Sequence, residues 1–530
     1  MFSLFLTSHS PLIRALFDLC FGWLVVYSVR KAWSHHRVST LLKYVPGPKA
    51  PSWLWGSEWD MHNSEPGARY TQWKQQFGDV VKIKGALGRD ILAISDYRTA
   101  TYILGEHVFD FPKPQGVREW FRLLVGEGLL VVEGKEAHAR QRRTFSPALN
   151  QQAIRPLLTT FYGLASKMAD TLSSRIDNAS TESIEEDVQW WANRFSLDSI
   201  GLAGFSYDFN SISGDSNPLA AALEALTNSA DNFSSFVMKA LFFTFPSILK
   251  IPSEKGKYIH NTREELGHVA TRMWNEAKAG GNDEGKTLMS FMIKADNMAG
   301  TDAMSKEEIP AQLRTLVQAG YETVGCATAW ILYELARHPE VQARIREEVT
   351  ASPAEPSYDD LLERVPYLDA VFKECMRLHP PIPELTHVSA KDAIVPLSKP
   401  LPGTTDMHMM IPRGTIINIP VNLLQNDTDV WGPDAAEFRP ERWLHAGSDK
   451  TERSSHYGDL FAFSYGPRTC PGRQFAVVEI KALVAVLLRQ FTLSTVTEKP
   501  IEPFLSFVVR ARVQGQKTSA LPLRISKIKY

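Results

Sequence analysis

The sequence predicts a mainly α-helical globule with a minor β-sheet, and three observations lead there. From about Gln151 to Arg377 the chain carries long runs with helical apolar periodicity. Before them, "DVVKIKGALGRDILAISD" alternates in a strand-like way about a glycine turn, the pattern of a small hairpin. After them the chain breaks into proline-rich loops and short strand patterns, so sheet is expected near both ends of the globule. Hydrophobic residues make up 44% and charged residues 22% of 530, enough for a substantial core. The formal net charge of -1 argues against nucleic acid as a partner.

The elements follow in chain order. Residues 12–29, "LIRALFDLCFGWLVVYSV", precede Arg30, Lys31, His35, His36 and Arg37. A bilayer span needs about 20 apolar residues, and Arg14 and Asp18 are placed to pair at i,i+4. A basic start and a small-residue cleavage site, the marks of a removed signal, are not evident. Residues 1–37 are therefore expected as a membrane anchor with a basic flank that keeps the bulk of the chain cytosolic. Residues 38–56, with "YVPGPKAPSWLWG", read as a stiff Pro/Gly hinge. Residues 57–530 read as one catalytic domain, without repeats or a later linker.

Four cysteines, Cys20, Cys326, Cys375 and Cys470, lie far apart with no CxxC pair, which suits a reducing compartment and disfavours a tetrahedral zinc site. Cys470 is the distinctive one, set in "FSYGPRTCPG" from Phe463 to Gly472. A metal-ligating cysteine must be a thiolate, stabilised by donors or positive charge. Gly466 and Gly472 allow a tight turn around the sulfur, Arg468 supplies a cation, and Phe463 is an apolar lid. The helical run "RQFAVVEIKALVAVLLRQF" follows at once, and its N-terminal dipole lowers the thiol pKa further. One sulfur ligand with no second protein ligand nearby calls for a metal that brings its other ligands along, as haem iron does with four porphyrin nitrogens.

FxxGxRxCxG at Phe463, Gly466, Arg468, Cys470 and Gly472 resembles the haem-ligand loop of the cytochrome P-450 family. "ECMR" (Glu374 to Arg377) resembles that family's ExxR helix, "FRPERW" (Phe438 to Trp443) its PERF segment, and "AGYETV" (Ala319 to Val324) the oxygen-binding stretch of its central helix. The four motifs stand in the family's order, and the resemblance covers the chain after the anchor. It implies the cytochrome P-450 fold and haem b, with Cys470 as axial ligand to the iron. On residues alone, Glu374 and Arg377 share a helical face and can pair; the resemblance adds Arg442 to make a buried structural triad. Ala319 and Gly320 are small where the helix would pass over a flat cofactor. Glu322 and Thr323 form an acid–alcohol pair suited to relaying protons, against the plainer reading of a back-bonded threonine and a glutamate paired to a base.

The haem carboxylates would be met by His138 and Arg142 of "HARQRR", by Arg468 and by His387. This chain departs from the family's habit at two of these, with His138 where a tryptophan is frequent and His387 where an arginine is. Arg140 and Arg143 are expected to face an electron donor. No FMN- or nicotinamide-binding module is visible, so the resemblance implies electrons from NADPH through a separate NADPH–cytochrome reductase at the endoplasmic reticulum membrane, with O2 as co-substrate. Expected pocket walls are residues 111–130, 315–320, 382–388 and 504–508, with the apolar run 234–246 either lipid-facing or core. "RLHPPIP" and "QRRTFSPAL" resemble fungal members of the family, and that resemblance implies a lipophilic, terpenoid-like substrate of secondary metabolism. Two alternatives stand beside this reading: a haem-thiolate isomerase or dehydratase that needs no reductase, and a membrane-tethered haem- or lipid-binding protein.

Overall fold

A computed structural model describes residues 22, 26, 29–30, 33–214, 217–229, 232–279, 287–297, 304–352, 354–444 and 460–528. Helices dominate, and the strands among these residues fall into small sheets. The expected anchor lies almost wholly outside the described residues. Among the described residues no helix is long and apolar enough to cross a membrane.

Helix α1 (33–41) runs into the stretch expected as a hinge, and here the expectation is corrected. Val38, Leu42 and Val45 are buried in a core with the sheet residues Val80, Leu92 and Ile417. The Lys82 N–H donates to Pro46 O at 2.8 Å, and a Cβ on Gly47 would lie 1.8 Å from Lys82 O. The strap thus covers an edge strand that would otherwise offer unpaired backbone groups. Its prolines lack N–H groups, but their carbonyls still accept.

Helix α2 (Ala68–Phe77) precedes the hairpin of β1 (Val80–Lys84) and β2 (Asp90–Ile94), which pair antiparallel with Ile83 opposite Ile91. Leu87 and Gly88 turn the chain between them with positive φ. Two more helices, α3 (Gln115–Leu124) and α4 (Lys135–Phe145), carry the basic residues of the site. Helix α5 (Val188–Ser199) packs on the central helix α7 (Glu308–Arg337), and α6 (Phe233–Phe242) lies between them in sequence. Glycines allow the α5–α7 approach: a Cβ on Gly325 would meet Asn193 Oδ1 at 2.2 Å, and one on Gly320 would meet Ile200 at 2.9 Å. The His338–Pro339 step ends α7.

Helix α8 (Pro366–Leu378) leads to β3 (Glu384–Val388), which pairs antiparallel with β4 (Ile416–Pro420). β4 runs parallel to β2, giving the sheet order β1–β2–β4–β3. After the cysteine loop, α9 (Arg473–Gln490) is buried along most of its length, and the hairpin β5 (Ile501–Leu505) and β6 (Val509–Val513) returns to α7. Val509 O accepts from Cys326 Sγ and from Trp330 Nε1, which pins β6 to the central helix.

Candidate active site

The triad geometry is explicit. Glu374 is fully buried and accepts from Arg377 Nη2 at 2.8 Å, Arg377 Nε at 2.9 Å and Arg442 Nε at 2.8 Å, with Trp443 Nε1 and Arg439 N each at 2.9 Å. Burial pushes the carboxyl up, but Arg377, the Arg439 N–H and then Arg442 hold it below the usual carboxylate range. Arg377 also donates to the carbonyls of Gln425, Ala435 and Glu437.

A residue that sequence reasoning missed carries this rigidity to the cysteine loop. Gln425 Nε2 donates to Met376 O and Arg377 O, while its Oε1 accepts from Ala462 N, all at 3.0 Å. Next to Ala462, Phe463 O accepts the Cys470 N–H at 2.8 Å. Phe463 stacks on Phe372, with centroids 6.5 Å apart. Gly466 has φ +66 and passes Leu104 O so closely that a Cβ would lie 2.5 Å away, a position that requires glycine. Gly472 differs from expectation: its φ is -84 and a Cβ there would lie an ordinary 3.9 Å from the sulfur. Its contribution is the backbone N–H, which with that of Arg473 is directed at Cys470.

Cys470 retains surface area although protein encloses it, so its sulfur opens on interior space. Burial pushes the thiol up, opposed by the Gly472 N–H and the charges of Arg142 and Arg473. Arg468, expected as the cation beside the sulfur, is paired instead to Glu133 and donates toward Val132 O. Arg142 takes that place and also donates to Thr469 O.

Around this loop the structure gathers a dense basic cluster. His138 is buried and pushed down to about 4 by burial, then by Arg468, Lys113 and Arg142. His387 is likewise pushed down to about 4 by burial, with Lys113 and Arg468 adding to the effect, and its Nδ1 lies 2.6 Å from Phe111 O. Both imidazoles are therefore neutral near pH 7. Lys113, unseen in the sequence reading, is pushed down to about 8 by burial and by Arg468, with Arg118 a further repulsive neighbour. Glu133 is the carboxylate that acts on both Lys113 and Arg468. The Nε atoms of Arg118 and Arg468 are buried without a hydrogen-bond partner. The cluster thus has surplus positive charge and unused donors, a fit for a ligand carrying two carboxylates. Arg140, expected to face an electron donor, is paired with Glu308.

The central helix opens on interior space in a single stripe. Between Thr315 and Leu332, the residues that keep partial exposure are Leu316, Ala319, Gly320 and Thr323, at i, i+3, i+4 and i+7. A helix otherwise buried on every side has such a stripe where something flat lies against it. The smallness of Gly320 itself is accounted for by Ile200. Thr323 Oγ1 donates to Ala319 O at 2.7 Å. Glu322 is turned toward another group: Thr227 Oγ1 donates to it at 3.2 Å, Gln318 Nε2 at 2.9 Å, and Arg510 Nη2 stands 3.6 Å away. Burial raises the Glu322 carboxyl and Arg510 opposes the rise. The acid and the alcohol are thus adjacent in sequence but separately partnered.

Glu322 and Gln318 border a cavity of about 470 Å³ with aromatic walls from α3, α6 and the β5–β6 turn. Its lining includes Trp120, Phe121, Ile382 and Phe507, within the expected wall segments. Trp120 and Phe507 stack at 5.3 Å. The expected walls omitted one side: Ile91, Ile416 and Asn418 of the sheet, with Tyr70 of α2, form a floor.

A deeply placed cysteine, a surplus of buried cations and a stripe of small residues on a central helix define a haem-thiolate protein. Comparison with known sequences agrees. The family described as Cytochrome P450 matches residues 45–517. The chain is 34% identical to Cytochrome P450 monooxygenase claO of Ampulloclitocybe clavipes, over 96% of this chain and 97% of that protein. Its similarity to Cytochrome P450 monooxygenase claQ of the same fungus is also 34%, over 97% and 98%. Cytochrome P450 monooxygenase 205 of Postia placenta is 33% identical over 85% and 86%. The chain belongs to the cytochrome P450 family. It is a P450 monooxygenase whose cofactor is haem with a cysteine thiolate on the iron.

Proposed function

We propose that this monooxygenase oxidises a lipophilic, terpenoid-like molecule of fungal secondary metabolism at a membrane surface, with electrons from NADPH through a separate reductase. The observation that carries the reading is the cavity beside the central helix, roomy enough for a molecule of that size and walled by Trp120, Phe121, Phe236, Phe242 and Phe507. A membrane location is supported by apolar side chains left in solvent: Trp53 at 87% exposure, Phe233 at 56% and Phe245 at 48%. Phe233 touches Trp55 and Trp59, so the α6 end and the residues after α1 form one patch.

Cys470 would ligate the iron, and the haem, when bound, supplies the activation of O2 and the insertion of one oxygen atom. Burial keeps the free thiol protonated, so loading the site releases a proton, and Arg142, Arg473 and the Gly472 N–H stabilise the resulting thiolate. Lys113, Arg118, Arg468 and His138 would hold the haem carboxylates, whereas neutral His387 has its one N–H committed to Phe111 O, and Ala319, Gly320 and Thr323 would flank the group from α7. Glu374, Arg377 and Arg442 fix the loop through Gln425. Thr323, whose hydroxyl donates to Ala319 O, lies on the interior stripe, where that O–H would turn to pass its proton to a bound acceptor and take another from solvent. Burial raises the Glu322 carboxyl against the opposing Arg510, and Gln318, which donates to it, also lines the cavity.

The test is reconstitution of the holoenzyme with a fungal NADPH–cytochrome reductase in phospholipid vesicles. NADPH-driven O2 uptake that rises with a lipophilic substrate and yields a monooxygenated product supports the proposal. Reduction by dithionite alone, with no O2 uptake for any lipophile, returns the isomerase reading.

A further inference from the structure

Glu322 is bonded across helices to a second threonine, Thr227, the last residue but one of the helix Pro218–Asn228. Thr227 is buried, and its hydroxyl oxygen lies 2.8 Å from Leu223 O and 3.2 Å from Glu322 Oε1. A hydroxyl has one proton, so it donates to one of these acceptors at a time, while its oxygen keeps two lone pairs. The residue itself is held in place. Thr227 O accepts from Ser506 Oγ at 3.0 Å, on the β5–β6 turn that borders the cavity.

The two donor positions match the two protonation states of Glu322. With a carboxylate, Thr227 O–H donates to Oε1 while Gln318 Nε2 donates to Oε2 at 2.9 Å. With a carboxyl, Thr227 O–H turns back to Leu223 O, a bond that threonine commonly makes one helical turn behind it. The proton on Oε1 then donates to Thr227 Oγ1, and the Gln318 bond to Oε2 is untouched. No heavy atom has to move. Neither hydroxyl proton is left unpaired in either state, which a buried site requires.

The charges around Glu322 favour neither state outright. Among the described residues, Arg510 of β6 and Lys255 of the helix Glu254–Ala279 favour the carboxylate, and burial opposes them. Arg510 is shared, because it also acts on Glu224 and Asp187. Tyr321 and Cys326 of α7 are pushed up by burial and stay neutral near pH 7.

We infer that Thr227 is a positioning residue for Glu322: its hydroxyl turns between Leu223 O and Glu322 Oε1 and holds the acid in one place with or without its proton. Glu322 therefore gains and gives up a proton without side-chain movement. The exchange is with water in the cavity that Glu322 borders, carboxyl and water giving carboxylate and hydronium. The inference rests on Glu322 being a proton carrier of the proposed monooxygenase.

The test is infrared difference spectroscopy of the holoenzyme between low and high pH. The carboxyl C=O stretch that is missing from Glu322→Gln belongs to Glu322. Thr227→Val keeps the shape and removes the hydroxyl; Thr227→Ser keeps the hydroxyl. In Thr227→Val the band should move to higher frequency, because the carboxyl O–H has lost its acceptor. The pH at which the band disappears should rise by about one unit, since the bond to the charged form is the stronger of the two. Thr227→Ser should restore both values. A band that Thr227→Val leaves unmoved, a serine variant that behaves like the valine one, or no Glu322 band at any pH would overturn the inference. Failure of the proton-carrier reading is separate: Glu322→Gln would then leave turnover and its solvent isotope effect unchanged, with the infrared bands behaving as described.

Discussion

Replacing Glu374 with glutamine puts the load on the most connected carboxylate in the fold. Glu374 Oε1 accepts from Arg377 Nη2, Arg442 Nε and Arg439 N, and Oε2 from Arg377 Nε and Trp443 Nε1. A glutamine keeps the shape, but its NH2 must point at one of these donor sets; Arg377 loses its counterion, and Arg442 keeps only Asp434 at 3.5 Å. Arg377 is fully buried and cannot turn to water, although it keeps the carbonyls of Gln425, Ala435 and Glu437. Breaking a buried pair on one side costs about 3–5 kcal/mol. For a chain of 530 residues, an unfolding entropy of about 2 cal/mol/K per residue gives about 1 kcal/mol/K, so the loss corresponds to a Tm lower by about 3–5 °C. The assay is thermal unfolding by circular dichroism at one fixed scan rate, since large proteins often unfold irreversibly, with haem content measured on the same samples. Glu374→Gln should lower both. A variant with Tm within 1 °C of wild type and full haem content would refute the reasoning that this cluster holds the loop.

Two further outcomes follow from the same geometry. His138 and His387 are held near pKa 4 in the folded protein, against an ordinary 6.5. Between pH 6.5 and 4 the unfolded chain binds protons there that the folded chain does not, so their contribution is complete above pH 6.5 and lost as pH falls through that window. The loss over the whole window is on the order of 3 kcal/mol for each imidazole, of which about 2 kcal/mol falls between pH 7 and 5, and it should be smaller with haem bound, because its carboxylates offset the nearby cations; urea unfolding of apo- and holoprotein at pH 7 and 5 measures this, and equal losses would contradict it. Gln425→Ala removes the bond to Ala462 N and should cost about 1 kcal/mol while raising the inactive 420 nm fraction of the carbon monoxide complex; an unchanged 450/420 ratio would disprove the link through Gln425.

Much of the site was legible because its chemistry is local in sequence. The cysteine loop, the Glu374–Arg377 spacing and the hairpin of β1 and β2 each depend on residues a few positions apart, where turn chemistry and periodicity are informative. What escaped depends on residues distant in the chain. Arg510 reaches Glu322 because β6 is pinned to α7 through Val509 O, and nothing around Arg510 in the sequence signals a buried partner. Lys113 reads as a surface lysine in "FPKPQG" until Arg468 and Glu133 converge on it. Arg468 was assigned to the sulfur by proximity in sequence, whereas the fold gives it to Glu133 and brings Arg142 to Cys470. The strap over β1 was read as a hinge because prolines and glycines signal both stiffness and close docking. The polar floor of the cavity needs strand register, which sequence alternation alone did not provide across β3 and β4.

The central claim is that Cys470 holds a haem iron through its thiolate. The most direct measurement is the absorption spectrum of the ferrous carbon monoxide complex of wild type beside Cys470→Ser. The account predicts a Soret band near 450 nm in wild type, lost in the variant. A wild-type band near 420 nm only, or a 450 nm band that survives Cys470→Ser, would contradict it.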